Sequence, residues 1–388
     1  MSTPYGPLSY DGPPPASGAW REGDPGGERI FVDVGDVEVV AGVTIPNVRV
    51  AYQTWGTLNE DRTNAVYICH ALTGDSHVSG SAGSGHLTDG WWDGLVGPGA
   101  PIDTDEWFVV CANVLGGCQG TTGPASTASD GRAWGSRFPV VTVADMVEVE
   151  RRVMDHLGID TWALMLGPSL GGMRVLEWMA AYPDRVRSGL VLGTTAAVTA
   201  DQIGTHATQI AAIEADPRFL GGDYYDSPAG EGPHVGMGVA RRIAHLTYRS
   251  ESELSLRFGR DPQGVEDPMS GGRFAVESYL DHQADKLARR FDANTYIALT
   301  RAMSLFDGGD GRGGVAEVLG GLRAPLTVVG LDSDRLFPLR LQEELVAATP
   351  TARPLHVVRS PYGHDGFLVE KDQVGQIVRE ALSTVPVA

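Results

Sequence analysis

The sequence predicts an α/β fold: a mostly parallel central sheet flanked by helices on both faces, interrupted by an inserted helical block. Three observations carry this reading. Short, continuous apolar runs recur at 65–70, 107–114, 161–167, 187–194 and 324–330, the pattern of strands covered on both faces. Amphipathic stretches alternate with them between 142 and 195 and again after 324, the rhythm of strand, helix and parallel strand. From about Ala196 to Gly314 the strand pattern stops, while helical periodicity continues.

The first 28 of the 388 residues hold six Pro and six Gly and too little apolar surface to offset the entropy of ordering, so 1–28 is expected to be a flexible arm. It lacks the cationic start and apolar stretch of a secretory signal. Strands are expected in IFVDV (30–34), VRVAYQTW (48–55), AVYICH (65–70) and WFVVCANV (107–114). A loop as long as the Gly/Ser-rich segment between the last two is usually functional or disordered in a compact domain, and Trp91 and Trp92 favour the ordered reading. Thr142 is the N-cap expected for the helix VADMVEVERRVMDHL, with Gly158 as its stop signal. TWALMLG then reads as a strand, LGGMRVLEWMAAY as a helix and RSGLVLGT as a strand. Helical stretches fill 196–314, and the alternation resumes with APLTVVG, PLRLQEELVAA, PLHVV and a helix near 373–383. The core is therefore expected from 29–195 and 315–388, with 196–314 as a helical lid insertion.

Charge narrows the function. Lys+Arg number 30 against 49 Asp+Glu, a net charge of -19, and 28 of the cations are Arg, with only Lys286 and Lys371 as lysines. Such a field repels nucleic acid and anionic membrane, and no apolar run is long enough to span a bilayer. An anionic substrate would have to be met by a local Arg cluster or by helix N-termini. Cys69, Cys111 and Cys118 form no even framework, which points to a reducing, cytoplasmic compartment.

Gly167-Pro168-Ser169-Leu170-Gly171 matches G-x-S-x-G. In a chain with 51 Gly, chance supplies roughly 0.4 such matches, so the string alone says little. Its place, between an apolar strand and an amphipathic helix, is that of a nucleophile elbow, which exposes a serine at the carboxyl end of a sheet. A serine hydroxyl needs a base, and the base needs an acid to orient it, in the chain order Ser, Asp/Glu, His. His364 follows the last strand, in SPYGHDGFL, and the loop LDSDRLFP offers Asp332 and Asp334, between which spacing does not choose. The oxyanion of an acyl-transfer intermediate needs two N–H donors, expected from Leu170 and from Leu72 in HALTG. His156, His206, His245 and His282 read as caps or packing groups. The chain carries no H-E-x-x-H, no C-x-x-C and no phosphate loop, so neither a metal nor a bound cofactor is expected.

With these segments in hand, the sequence from about 30 to 385 resembles the homoserine O-acyltransferase family of the α/β-hydrolase fold, most of all its acetyltransferases. The resemblance rests on HALTGDSH, DGWWDGLVGPG, NVLGGCQGTTGPAS, SRFPVVTVADMV, the elbow, ARRIAHLTYRS, RFAVESYLDHQADKLARRFDANTY, SDRLFP and GHDGFL. It implies Ser169 as nucleophile, Asp334 as the orienting acid and His364 as the base. It implies Arg241 and Asp365 as the groups holding the amino-acid substrate, with Tyr248 lining the same pocket. It also implies acetyl transfer from acetyl-CoA, as co-substrate, to the hydroxyl of L-homoserine in methionine biosynthesis, by a ping-pong acyl-serine mechanism, in a homodimer. Two departures stand out: Pro168 and Leu170 replace residues of the family's G-G-S-M-G-G elbow, and GPGAP lacks the lysine that often follows GPG. Rival readings are a succinyl donor, serine as acceptor, plain hydrolysis and, in another class, a non-catalytic α/β-hydrolase-like binding protein.

Overall fold

The computed structural model describes residues 9–386. Eight strands form one sheet in the order β1-β2-β6-β3-β7-β8-β9-β10. β1 (Ile30–Glu38) and β2 (Thr44–Trp55) are antiparallel to each other, and β2 is antiparallel to β6 (Phe108–Ala112). β3 (Ala65–Ile68), β7 (Leu164–Pro168), β8 (Gly189–Leu192), β9 (Leu326–Leu331) and β10 (His356–Val358) continue from β6 in parallel. All residues of β3, β7, β8 and β9 are buried, which explains why those runs are apolar without alternation. β4 (Val96–Gly97) and β5 (Ile102–Asp103) make a small separate ladder within the long loop.

α1 (Val143–His156) starts with a capping box in which the Thr142 hydroxyl and the Asp145 carboxylate each accept from the other's backbone N–H. α2 (Leu170–Ala181) follows the elbow directly. The interval between β8 and β9 contains α3 (Ala200–Glu214), α4 (His234–Tyr248), α5 (Glu251–Phe258), α6 (Ala275–Arg290), α7 (Ala293–Ser304) and α8 (Val315–Gly320). α9 (Leu339–Ala348), α10 (Gly366–Val369) and α11 (Lys371–Ser383) complete the chain. One apolar cluster joins the helices of the interval to one face of the sheet, and a second, containing Trp92 and α11, covers the other face. No helix among the described residues is long and apolar enough to cross a membrane.

The N-terminal segment differs from the sequence expectation. Residues 1–8 lie outside the described residues, but from Ser9 the chain is in contact with the body, Arg289 donating to Ser9 O and Gly12 O. Gly18 N–H donates to Phe291 O, Trp20 N–H donates to Cys118 O, and the Ser17 hydroxyl donates to Asp292. A Cβ on Gly18 would lie 2.5 Å from Phe291 N, so only glycine allows this approach. The partners stand about 100 and 270 residues away, and backbone hydrogen bonds to them replace the apolar burial that the segment lacks. The long loop is ordered as expected: Trp92 is fully buried and donates to Phe367 O, and Trp91 donates to Asp75 O. Cys69, Cys111 and Cys118 are free and buried.

Candidate active site

Ser169 sits between β7 and α2 with φ 56° and ψ -122°, a conformation that costs a non-glycine residue energy and is held by its surroundings. Its N–H donates to Leu192 O at 2.9 Å, and its own carbonyl accepts from the Thr194 hydroxyl at 2.8 Å. The flanking glycines make room for the turn. A Cβ at Gly167 would fall 2.6 Å from Gly171 C, one at Gly171 would fall 2.0 Å from Cys69 O, and one at Gly172 would fall 2.6 Å from Thr194 Cγ2.

His364 lies in a short 3-10 turn after β10, with its Nδ1 2.7 Å from Asp334 Oδ2. Asp334 is buried and fixed by its other oxygen, which accepts from the N–H groups of Leu336 and Phe337. Asp332 instead accepts from Ser360 N–H and ties the two loops together, so geometry separates the two carboxylates that spacing could not. Burial by itself would lower the imidazole's pKa. The charge and hydrogen bond of Asp334, with Asp365 behind them, outweigh it and raise the value above 6.5. An imidazole oriented in this way leaves Nε2 free for a serine proton.

Ser169 and His364 line one cavity of about 360 Å³, together with Leu72, Arg241, Tyr248 and Asp365. Leu170, first residue of α2, is buried beneath the serine, and as a helix-starting residue its N–H has no intrahelical acceptor. Neither Leu72 nor Leu170 donates to another backbone carbonyl among the described residues, so both N–H groups remain available to an oxyanion. Among the described residues Arg241 Nε and Nη1 are buried without a partner, and the guanidinium stands 5.4 Å from the Tyr248 ring. A buried, unpaired guanidinium at a cavity wall is a receptor for a carboxylate. Asp365 lies 3.5 Å from Arg249, whose main partner is Glu253 at 2.6 Å, leaving the aspartate able to accept an ammonium. Tyr248 also faces the base, its ring 5.8 Å from that of His364.

Other residues reach the site without having been singled out in the sequence. Arg174, fully buried on α2, donates to His70 O at 2.8 Å and to Glu150 at 2.6 Å, and Trp178 donates to the other Glu150 oxygen. His70 Nε2 accepts from Val114 N–H, while Nδ1 faces Ala71 O at 2.8 Å. Burial, with Arg174 nearby, lowers the His70 pKa to about 3, so the ring is neutral and acts as a backbone brace. At the far end of the same turn Arg290 donates to Thr73 O at 2.9 Å. The turn carrying Leu72 is thus clamped at both ends by an arginine. Arg174 in LGGMRVLEWMAAY, whose one other charged residue is Glu177, is the sequence signal that could have flagged this brace.

His245 adds to the sequence reading. It packs in the last turn of α4 against Tyr248 and Tyr279 and is in addition a wall of the cavity, bonded to the Tyr279 hydroxyl at 2.6 Å and held at a pKa of about 3 by burial and by Arg241 and Arg249. His206 bonds Ser304, and His282 stacks on Tyr10.

Glu28, His77 and His86 bring metal-type ligand atoms within 4.8 Å of one another. The two imidazoles are stacked, however, with centroids 3.8 Å apart and planes 11° from parallel. An ion bound at about 2.0–2.1 Å must lie in the plane of each ring, and rings so stacked do not share such a point. Burial first, then Arg29 and His77, holds His86 near a pKa of 3, so its ring is neutral in the 2.8 Å contact with Glu28.

A model of the α/β hydrolase fold matches residues 64–371. The homoserine O-acetyltransferase of Thermobifida fusca (strain YX) is 56% identical over 379 residues, 97% of this chain and 100% of that one. The crystal structure of homoserine O-acetyltransferase from Bacillus anthracis superposes with a TM-score of 0.85 at 26% identity, covering 93% of this chain and 99% of that one. The crystal structure of esterase E22 superposes with a TM-score of 0.83 at 25% identity, covering 92% and 99%.

Proposed function

Because the chain belongs to the homoserine O-acetyltransferase family of the α/β-hydrolase fold, we propose that it transfers an acetyl group from acetyl-CoA to the side-chain hydroxyl of L-homoserine. The observation that carries this is the strained Ser169 sharing a cavity with an Asp334-oriented His364 and an unpaired Arg241.

Ser169 Oγ, its proton taken by His364 Nε2, attacks the thioester carbonyl, and the Leu72 and Leu170 N–H groups hold the oxyanion. The C–S bond breaks, His364 returns the proton to the departing CoA sulfur, and acetyl-Ser169 remains. Homoserine enters with its carboxylate on Arg241 and its ammonium on Asp365, beside Tyr248. His364 takes the proton from the homoserine hydroxyl, the oxygen attacks the acetyl carbonyl, and the proton returns to Ser169 as O-acetylhomoserine leaves. The 196–314 helices act as a lid whose side chains narrow access for water, which favours transfer over hydrolysis. The enzyme works in the cytoplasm, needs no resident cofactor and pairs as a homodimer, for which exposed Val235, Val239 and Leu246 at helical spacing on α4 offer an apolar face.

Mass spectrometry after mixing with acetyl-CoA alone should find one added acetyl group on the peptide containing Ser169, discharged by homoserine with formation of O-acetylhomoserine. No adduct in the wild type, or an adduct retained in Ser169→Ala, would overturn the mechanism. Discharge by water as fast as by homoserine would make it a hydrolase, and preference for succinyl-CoA would change the donor.

A further inference from the structure

The cavity holds more positive charge than an amino acid requires. On the reading above, homoserine uses one cation, Arg241, and one anion, Asp365. The facing helix α6 adds Lys286 and Arg290, one turn apart, with Gln283 three residues earlier, and all three line the same cavity. Arg290 is engaged, donating to Thr73 O. Lys286 is not: among the described residues no hydrogen bond or ion pair holds its ammonium, whereas the chain's other lysine, Lys371, donates to Asp93 O.

Lys286 is half-buried, and burial together with the charges of Arg290 and Arg241 lowers its pKa. A half-buried cation placed beside two others is disfavoured until an anion joins them. No acidic group around the cavity is paired with Lys286 among the described residues. Asp75 accepts from His77 N–H and Asp89 from Ala82 N–H, while Asp365 faces Arg249.

We propose that Lys286 binds an anionic group of the acyl donor, making the Lys286 side of α6 a donor anion site distinct from the amino-acid site at Arg241 and Asp365. The inference rests on the acyl-CoA reading given above. Homoserine is a zwitterion whose two charges are already matched, whereas a CoA thioester brings several phosphate charges toward a protein of net charge -19. A lysine suits this task, because its ammonium is a point charge on a flexible stem that can follow a moving phosphate. The shared chemistry is an anionic oxygen, which a CoA phosphate supplies and which the distal carboxylate of a dicarboxylic acyl chain would also supply.

The test compares wild type, Lys286→Met and Lys286→Arg with acetyl-CoA, succinyl-CoA and the uncharged donor p-nitrophenyl acetate, folding being checked by far-UV circular dichroism. Should Lys286→Met fail to fold, Lys286→Gln replaces it. Loss of one charge-assisted contact should raise the KM for acetyl-CoA roughly tenfold in Lys286→Met, with kcat and the KM for homoserine within about twofold. Acylation by p-nitrophenyl acetate should not change, and Lys286→Arg should recover most of the loss. An equal loss with both CoA donors assigns the phosphates, and a loss confined to succinyl-CoA assigns the distal carboxylate. The proposal is overturned if p-nitrophenyl acetate loses as much, if only the homoserine KM rises, or if nothing changes. A wild type unable to acetylate homoserine would instead bring down the reading beneath it.

Discussion

Replacing Gly171 by alanine tests how the elbow and the Leu72 turn are held at a fixed separation. A Cβ at 171 would stand 2.0 Å from Cys69 O, 2.9 Å from Cys69 C and 3.2 Å from His70 O. A carbon and a carbonyl oxygen in ordinary contact are about 3.3–3.6 Å apart, so roughly 1.3 Å must open between the start of α2 and the end of β3. Both sides are main chain in the middle of the sheet, so no side chain can swing away. Overpacking typically costs about 1–3 kcal/mol, and an obstruction made of backbone belongs at the upper end. Ser169 lies on one side of the gap and Leu72 on the other, and a misplacement of about 1 Å at a reacting centre costs on the order of 100-fold in rate. Gly171→Ala should therefore lose about 3 kcal/mol in urea unfolding and about 100-fold in kcat for acetyl transfer. Gly204→Ala, on α3 with nothing within 4 Å of the new Cβ, is the control and should be neutral or stabilising by up to about 1 kcal/mol. If Gly171→Ala kept kcat within threefold of wild type, close approach at this glycine would not be what positions the two halves of the site.

Asp334→Asn should lower kcat/KM on the order of 10⁴-fold, since the amide cannot hold the imidazole in the tautomer that accepts from serine. It should also move the rising limb of the pH–rate profile to lower pH, because the carboxylate is what raises the His364 pKa against burial; an unmoved limb would contradict this. In the wild type, activity and the pair's contribution to stability should run in opposite directions. The raised folded pKa means that stabilisation from His364 is fully present below the unfolded value near 6.5 and is lost as pH rises through the folded one, while acylation rises over that same interval. Unfolding measured alongside single-turnover acylation would test both halves. Glu150→Leu should cost about 3–5 kcal/mol by stranding the buried Arg174, and adding Arg174→Met should restore much of it; a double variant no more stable than the single would mean that the pair is not the source of the loss.

The strands and the elbow were legible in the sequence because each is written locally. β3, β7 and β9 are apolar runs, the Thr142 cap adjoins its helix, and the turn at Ser169 needs glycines within a few residues of it. The family resemblance named Asp334 as the acid, and the hydrogen bond to His364 gives the physical reason: its loop aims that carboxylate at the ring while Asp332 turns to Ser360. Lys286 left a trace only in being one of two lysines, without indicating what it faces.

The features that escaped the sequence share one property, which is that each joins segments too far apart in the chain to leave a period or a motif. Arg290 reaches Thr73 across 217 residues and Arg174 reaches His70 O across 104, so neither end of the Leu72 turn announces its clamp. Asp292 shows the same logic away from the chemistry. Its carboxylate caps α7 through Thr295 N–H and accepts from the hydroxyls of Ser17, Tyr224 and Tyr225. A segment whose composition alone predicts disorder is thereby drawn onto the end of α6, the helix that carries Arg290 and Lys286. Weakening Asp292 should therefore loosen the N-terminal segment and the cavity wall together, because one buried carboxylate closes both.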